Sequence, residues 1–287
     1  MQTPTIDPLN FSVLRVQSLF NETHLAWATG FIYSGTLDDK PCQWLVTNWH
    51  VLSGRSASRP MEVLHELAAI PNRILVQVPS QIGPDGNEQL GTLFYHEKFI
   101  ELYTPAGVAM WYQHATKSAV DIGVINIGSL FMEHLTKGVN ELCSEHDMAV
   151  EIGNQVFILG YPLGFSHFAH TPIWKRGAIA SEPHSETPDS RNRIVIDATT
   201  RSGMSGSPVI MREKTHYVDE SGTVRQKANA SRFIGVYASR PAPVATASNE
   251  SAEIGLSSHE IGYVFKSGCV HEVIVGGSRA AEYGEMW

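Results

Sequence analysis

The sequence predicts an all-β protein built from two six-stranded antiparallel β-barrels, followed by a short C-terminal helix. Three observations carry that expectation. About twelve short runs, most of them about five to nine residues long, are rich in Val, Ile and aromatic side chains. Gly, Pro, Asn or Ser turns bound most of these runs. Helical periodicity is weak along the whole chain. Antiparallel sheets of this extent dispose of their unpaired edges by closing, which favours two barrels over one open sheet.

In chain order the runs are 11–20, 25–33, 44–47, 73–78, 90–95 and 120–127 for the first barrel. The second receives 155–159, 174–180, 193–198, 208–211, 233–238 and 261–265. Helical spacing occurs at 62–70, broken by Pro71, and at 270–275, broken by Gly276 and Gly277; the latter is the terminal helix. Residues 128–152 hold no strong strand and suit the crossover, so the lobes divide as 1–140 and 141–287 within one domain. Polar insertions at 79–89, 212–232 and 238–256 interrupt the pattern, with Asp85-Gly86 and Ser221-Gly222 marking hairpin tips. Such loops are expected to cover or flank a site.

Composition excludes several classes. Of 287 residues, 43% are hydrophobic and 17% charged, without low-complexity tracts, as in an ordered globular chain. A formal net charge of -8 provides no clustered Lys and Arg to displace counterions, so neither nucleic acid nor a membrane surface is an expected partner. Residues 1–10 lack a basic, apolar leader, and no run reaches the roughly 18 apolar residues of a membrane span, so a cytoplasmic location is expected. Cys42, Cys143 and Cys269 are odd in number and widely spread, and read as buried free thiols.

Three segments stand apart from this background. Trp44-Leu45-Val46-Thr47-Asn48-Trp49-His50-Val51-Leu52 is an apolar strand that stops at a histidine. Val120-Asp121-Ile122-Gly123-Val124-Ile125 opens a strand with an aspartate, and Gly203-Met204-Ser205-Gly206-Ser207-Pro208 is a glycine-flanked serine turn. A serine hydroxyl is a poor nucleophile near neutral pH. A neutral imidazole must take its proton, and a carboxylate must hold that imidazole in the right tautomer. Ser205, His50 and Asp121 are the candidates for these tasks. Alone, a histidine ending a strand or an aspartate opening one is usually an ordinary polar residue; the conjunction distinguishes them. His167 and His170 have H-x-x-H spacing but sit in a Gly/Phe/Ser loop, and Cys143, His146 and Asp147 read as a polar surface between lobes. No metal is assigned to either group.

At these residues the chain resembles the trypsin-like, chymotrypsin-fold serine protease family, and within it the disulfide-free bacterial branch. That family shows a T-x-x-H segment, an aspartate leading a strand, and G-x-S-G-x-P in this order. The likeness extends through Gly160-Tyr161-Pro162-Leu163-Gly164, Lys175-Arg176-Gly177-Ala178-Ile179-Ala180-Ser181 and Ile261-Gly262-Tyr263-Val264-Phe265-Lys266, and so spans nearly the whole chain. It implies that His50 and Asp121 come from the first barrel and Ser205 from the second. It also implies that the backbone N–H groups of Gly203 and Ser205 form an oxyanion hole in the cleft between lobes. Ser207 competes as nucleophile, but choosing it would put Ser205 at the oxyanion glycine.

By the same resemblance Thr199 lies at the base of the primary substrate pocket, with Tyr237, Ala238 and Ser239 along its wall. No carboxylate occupies that base, which argues against cleavage after Lys or Arg and for a small or medium apolar side chain. Arg201 and Arg240 alter this if they enter the cleft. Digestive relatives place an aspartate just before the nucleophile to receive a new N-terminus, whereas this chain has Met204. The expected activity is peptide-bond hydrolysis in protein or peptide substrates through an acyl-enzyme, without a cofactor. A regulated intracellular role of the stress-response or phage-defence type follows, gated by a regulatory protein partner, a ligand or a loop. Two other readings stay open: a protease-fold module that binds peptides without cutting them, and an esterase or transacylase using the same serine.

Overall fold

Two sheets take up most of the strands, and their residues bury alternate side chains wherever one face meets a core. The computed structural model of the chain describes residues 6–80, 94–116, 119–128, 137–167, 170–185, 192–239 and 260–279. A helical turn, α1 (Leu9–Ser12), leads into β1 (Val13–Phe20), β2 (Thr23–Leu37) and β3 (Lys40–Thr47). Helix α2 (Trp49–Ser53) precedes β4 (Arg55–Ser56), β5 (Arg59–Val63), β6 (Arg73–Ser80), β7 (Phe94–Glu101), β8 (Tyr112–Gln113) and β9 (Gly123–Asn126). After α3 (Val139–Leu142) come β10 (Gln155–Gly160), β11 (Ile173–Ile179), β12 (Arg193–Asp197) and β13 (Pro208–Glu213). A small hairpin, β14 (His216–Val218) and β15 (Val224–Gln226), is followed by β16 (Ala230–Ser239), β17 (Ile261–Lys266), α4 (Ser267–Gly276) and β18 (Ser278–Arg279).

The second lobe is a closed six-stranded barrel in the order β10-β11-β12-β17-β16-β13. Val156 and Ile158, Ile194 and Ile196, and Val209 and Met211 point into it as alternating pairs. The first lobe is an eight-stranded sheet in the order β18-β8-β9-β3-β2-β1-β6-β7. Its connection from β7 to β8 doubles back on itself through the Tyr103–Ala109 bridge, and the Met110 amide donates to the Leu102 carbonyl at 2.9 Å. Leu14, Val16, Ile32, Leu45, Ile74 and Trp111 fill its interior.

Several boundaries differ from the sequence reading for physical reasons. β2 and β3 run past their apolar cores because Asp38 and Asp39, at φ 49° and 60°, make a tight two-residue turn without glycine. The segment 62–70 is not a helix. Arg59–Val63 is strand, and the residues after it are irregular, with Ala68 at φ 53° and Leu64 and Leu67 exposed. An apolar stripe that short gains nothing from helix formation unless a core receives it. Ser221 and Gly222 do turn the β14–β15 hairpin, with Gly222 at φ 82°. Asp85 and Gly86, and residues 240–256, lie outside the described residues. β18, from the far end of the chain, pairs with β8 and so crosses the expected division at residue 140.

A third core joins the lobes. Phe31 and Val46 of the first sheet meet Ile210, Phe233 and Phe265 of the barrel, and α4 lays Val270 and Val273 over the seam. Phe31 and Phe233 pack edge to face with ring centroids 5.4 Å apart. Among the described residues no helix is long and apolar enough to cross a membrane. Phe31→Ala would open a void across this seam and should cost roughly 3–5 kcal/mol. The measurement is the urea unfolding midpoint, which falls while the slope of the transition stays the same.

Candidate active site

Sheet register sets the first half of the site. β3 ends at Thr47, which pairs with Gly123 at the start of β9, so the residues just beyond Thr47 and just before Gly123 are neighbours. Asn48 remains extended and donates from Nδ2 to the Asp121 carbonyl at 2.7 Å. The chain then turns into α2, closed by Gly54 at φ 68°, whose amide donates to the His50 carbonyl. His50 engages the buried Asp121 twice: its backbone amide donates to Oδ1 at 2.9 Å, and its ring Nδ1 lies 2.7 Å from Oδ2. Holding Nδ1–H on a carboxylate leaves the Nε2 lone pair as the acceptor of the neutral ring. Burial pulls the His50 pKa down, but the charge and hydrogen bond of Asp121 outweigh it and leave the imidazole above its ordinary value.

The second half is a turn between β12 and β13 that is clamped by the opposite lobe. Thr29, buried in β2, donates its amide to the Ser205 carbonyl at 2.8 Å and its hydroxyl to the Gly203 carbonyl at 2.7 Å. The same hydroxyl accepts the Tyr161 amide at 3.0 Å, and the Thr29 carbonyl accepts the Thr47 hydroxyl at 2.7 Å. Only glycine fits where this contact is tightest. Gly206, at φ 85°, would drive a Cβ into the Thr29 carbonyl, and Gly203, at φ 92°, would drive one into the Tyr161 carbonyl.

Amide use within the turn is selective. Met204 N–H donates to the Arg201 carbonyl at 3.2 Å, Gly206 N–H to the Tyr237 carbonyl at 2.9 Å, and Ser207 N–H to the Met204 carbonyl at 3.0 Å. The amides of Gly203 and Ser205 donate to no protein acceptor among the described residues. The Leu163 amide donates to the Ser202 carbonyl at 2.6 Å. Because N–H and C=O of one trans peptide point opposite ways, that bond turns the Gly203 N–H away from Leu163. Ser205 shares a hollow of about 250 Å³ with His50 and Gly203. Its hydroxyl is turned toward the Ala238 carbonyl, at 3.1 Å. Ser207 is fully buried and its hydroxyl has no partner among the described residues.

The pocket residues fall differently. Thr199 is exposed, and it is the adjacent, fully buried Thr200 that meets Tyr237, hydroxyl to hydroxyl at 2.5 Å. The Tyr237 ring lies over Gly262, where an added Cβ would come within 2.6 Å of ring atom Cε2. Ala238 is buried and presents its carbonyl; Ser239 pairs with Tyr263, and its side chain lies outside the described residues. Arg201 is exposed and donates to the Thr200 carbonyl, and Arg240 lies outside the described residues. Met204 is buried in the barrel core. Cys143 lies in the core between the lobes rather than on a polar surface, and burial pushes its thiol up to about 12, far from a reactive thiolate. Among the described residues no group of three or more His, Cys, Asp or Glu is placed to hold a metal ion.

Thr29 and Thr200 carry no motif in the sequence, and Leu163 stands out there only as part of the Gly160–Gly164 segment. The one available signal was Thr29 itself, a hydroxyl inside the apolar run 25–33. Removing the Asp121 charge leaves burial to act on His50 alone, so Asp121→Asn should move the His50 titration, read by NMR, to lower pH. The sign for stability follows. With the folded pKa above the unfolded one, the pair's contribution is complete below the unfolded pKa and is lost as pH rises through the folded one.

The solved structures most like this chain include the Rv3671c protease of M. tuberculosis. Its active form is 16% identical over 96% of this chain and 85% of its own, with a TM-score of 0.44. The inactive form is 17% identical over 93% and 86%, with a TM-score of 0.43. The HtrA-type protease AlgW, solved with a tripeptide, is 16% identical over 93% of this chain but only 60% of its own, with a TM-score of 0.44. A search of curated proteins returns no match. The family described as the trypsin-like peptidase domain matches residues 28–216, a span that includes His50, Asp121 and Ser205. With well over half of its length matched in this way, the chain belongs to the trypsin-like peptidase domain family.

Proposed function

We propose that the protein is a serine endopeptidase in which Ser205 is the nucleophile, His50 the general base and Asp121 the group that orients and charges the imidazole. The observation that carries this reading is that the Gly203 and Ser205 amides donate to no protein acceptor among the described residues, while the Met204, Gly206 and Ser207 amides interleaved with and following them are bonded. Buried donors are rarely left without acceptors unless something else fills that role. A tetrahedral oxyanion is such an acceptor, and two preorganised N–H groups stabilise it without rearrangement.

The steps follow from the geometry. The Ser205 hydroxyl leaves the Ala238 carbonyl by a side-chain rotation and donates to His50 Nε2. Its oxygen bonds to the substrate carbonyl carbon as the proton passes to Nε2, and the carbonyl electrons move onto the oxygen held by the two amides. Collapse breaks the C–N bond, and His50 delivers its proton to the departing amine. Water, deprotonated by His50, then repeats the sequence on the acyl-enzyme and releases Ser205.

Tyr237 narrows the substrate class on the acyl side. Its ring, bonded to Thr200 and lying on Gly262, fills space that the family pocket leaves for a side chain, which supports small residues before the scissile bond. Met204, in the barrel core, offers no charge to a new N-terminus, so the reading has no place for activation by that ion pair.

Ser205→Ala should lower kcat on a peptide substrate about 10⁶-fold and abolish labelling by a fluorophosphonate. A variant that still cleaves casein at the parent rate overturns the reading. Tyr237→Val should raise kcat/KM for peptides with Leu before the scissile bond relative to Ala by roughly 10-fold or more, read from paired fluorogenic peptides.

A further inference from the structure

Two hollows meet at His50. One, of about 230 Å³, runs past Asp121 to Arg193, Tyr263 and Phe265, on β12 and β17 beside the wall of β16. The other, of about 250 Å³, adjoins Ser205 and Gly203 on the opposite side and contains no residue of β12, β16 or β17. We propose that this second hollow is the principal specificity site. It receives an aliphatic or aromatic side chain from the first residues after the scissile bond, so that cleavage sites are chosen on the leaving-group side. The inference rests on the peptidase reading and adds the substrate class to it.

The position follows from what each wall offers. If the acyl half of a bound peptide lies along β16, whose Ala238 carbonyl receives the Ser205 hydroxyl, the first hollow adjoins that half through Tyr263 and Phe265 of β17, which pair with Ser239 and Val236 of β16, and the second hollow, which touches neither strand, takes the amine half. His50 lines both hollows, as the residue that hands a proton to the departing nitrogen must.

The chemistry follows from the lining. Leu25, Trp27, Val51, Leu64 and Pro71 supply apolar surface. The Ser18 hydroxyl, also in the lining, is already spent on the Val51 carbonyl at 3.1 Å. Trp27 is the floor, and it is fixed from two directions. The Arg15 guanidinium stands 5.0 Å from its ring centroid, and Gly164 lies so close that a Cβ there would come within 2.5 Å of the ring. Arg15 also donates to the Gly164 carbonyl at 3.2 Å, tying clamp to clamp. A ring held this way presents apolar area without losing side-chain freedom on binding.

The surroundings agree with the floor. Leu64, at the border of the two hollows, is 51% exposed, and Leu163 and Phe165, either side of Gly164, are 66% and 57% exposed. On the acyl side the corresponding space is taken by Tyr237. An apolar side chain gained or lost in such a pocket separates substrates by roughly 10- to 200-fold.

The test is cleavage of a peptide library by the purified full chain, with new N-termini identified by mass spectrometry and fluorophosphonate labelling reporting an active Ser205. Leu, Ile, Val, Met and Phe should be enriched about 10-fold or more over Asp, Glu and Gly within the first two residues of the products. Trp27→Ala and Leu25→Ser should each reduce that enrichment to about 3-fold or less; Leu25 lines the second hollow and not the first and is only half-buried, so its variant decides the matter if Trp27→Ala does not fold. A protein that labels and cleaves but gives a flat profile, or one unchanged in Leu25→Ser, overturns the inference alone. Absence of both label and cleavage overturns the peptidase reading and the inference with it.

Discussion

Thr29 is the point on which the site depends. One residue of the first sheet holds two carbonyls of the serine turn, accepts the Tyr161 amide, and is itself held through its carbonyl by Thr47. Thr47 ends the strand that delivers His50. His50 and Ser205, on different lobes, are therefore registered to each other through the buried hydrogen bonds of Thr29. Buried polar groups of this kind are strongly destabilising when half paired, which makes the arrangement all-or-none. The glycines at 203 and 206 are the steric counterpart, since they let the turn approach Thr29 and Tyr161 closely enough for these bonds to form.

Much of this was legible in the sequence because it was written in residue types with few alternative uses. A histidine after an apolar strand, an aspartate before one and a serine between glycines narrowed the chemistry, and six apolar runs in the second half matched six barrel strands. What escaped was written in geometry. The exposed and buried members of the Thr199-Thr200 pair differ only in the direction each faces. Asp38-Asp39 makes a turn usually signalled by glycine or asparagine. The 62–70 stripe has helical spacing but no core to receive it, and periodicity alone carries no knowledge of a partner. The strand at 94–101 has polar residues such as His96, Glu97 and Lys98, so its run ended too early in the sequence reading.

The two sides of the cleft use different physics. On the acyl side a tyrosine hydroxyl and a threonine hydroxyl satisfy each other, so opening that space leaves both without a partner as well as leaving a void. On the amine side the surface is apolar and already exposed, so covering it removes hydrocarbon from water without breaking a bond. On the proposed reading, discrimination on the first side would be exclusion by volume, and on the second attraction by area.

The pairing of β18 with β8 has a consequence for synthesis. β8 borders β9, and Asp121 stands two residues before that strand, so Ser278 and Arg279 complete the sheet that positions Asp121. A ribosome releases the N-terminal lobe long before Ser278 and Arg279 emerge, and contacts this distant in sequence form late. The nascent chain thus holds its first sheet unfinished until residues 278–279 have been made, so the strand beside Asp121 gains its last neighbour only after the barrel lobe has been synthesised.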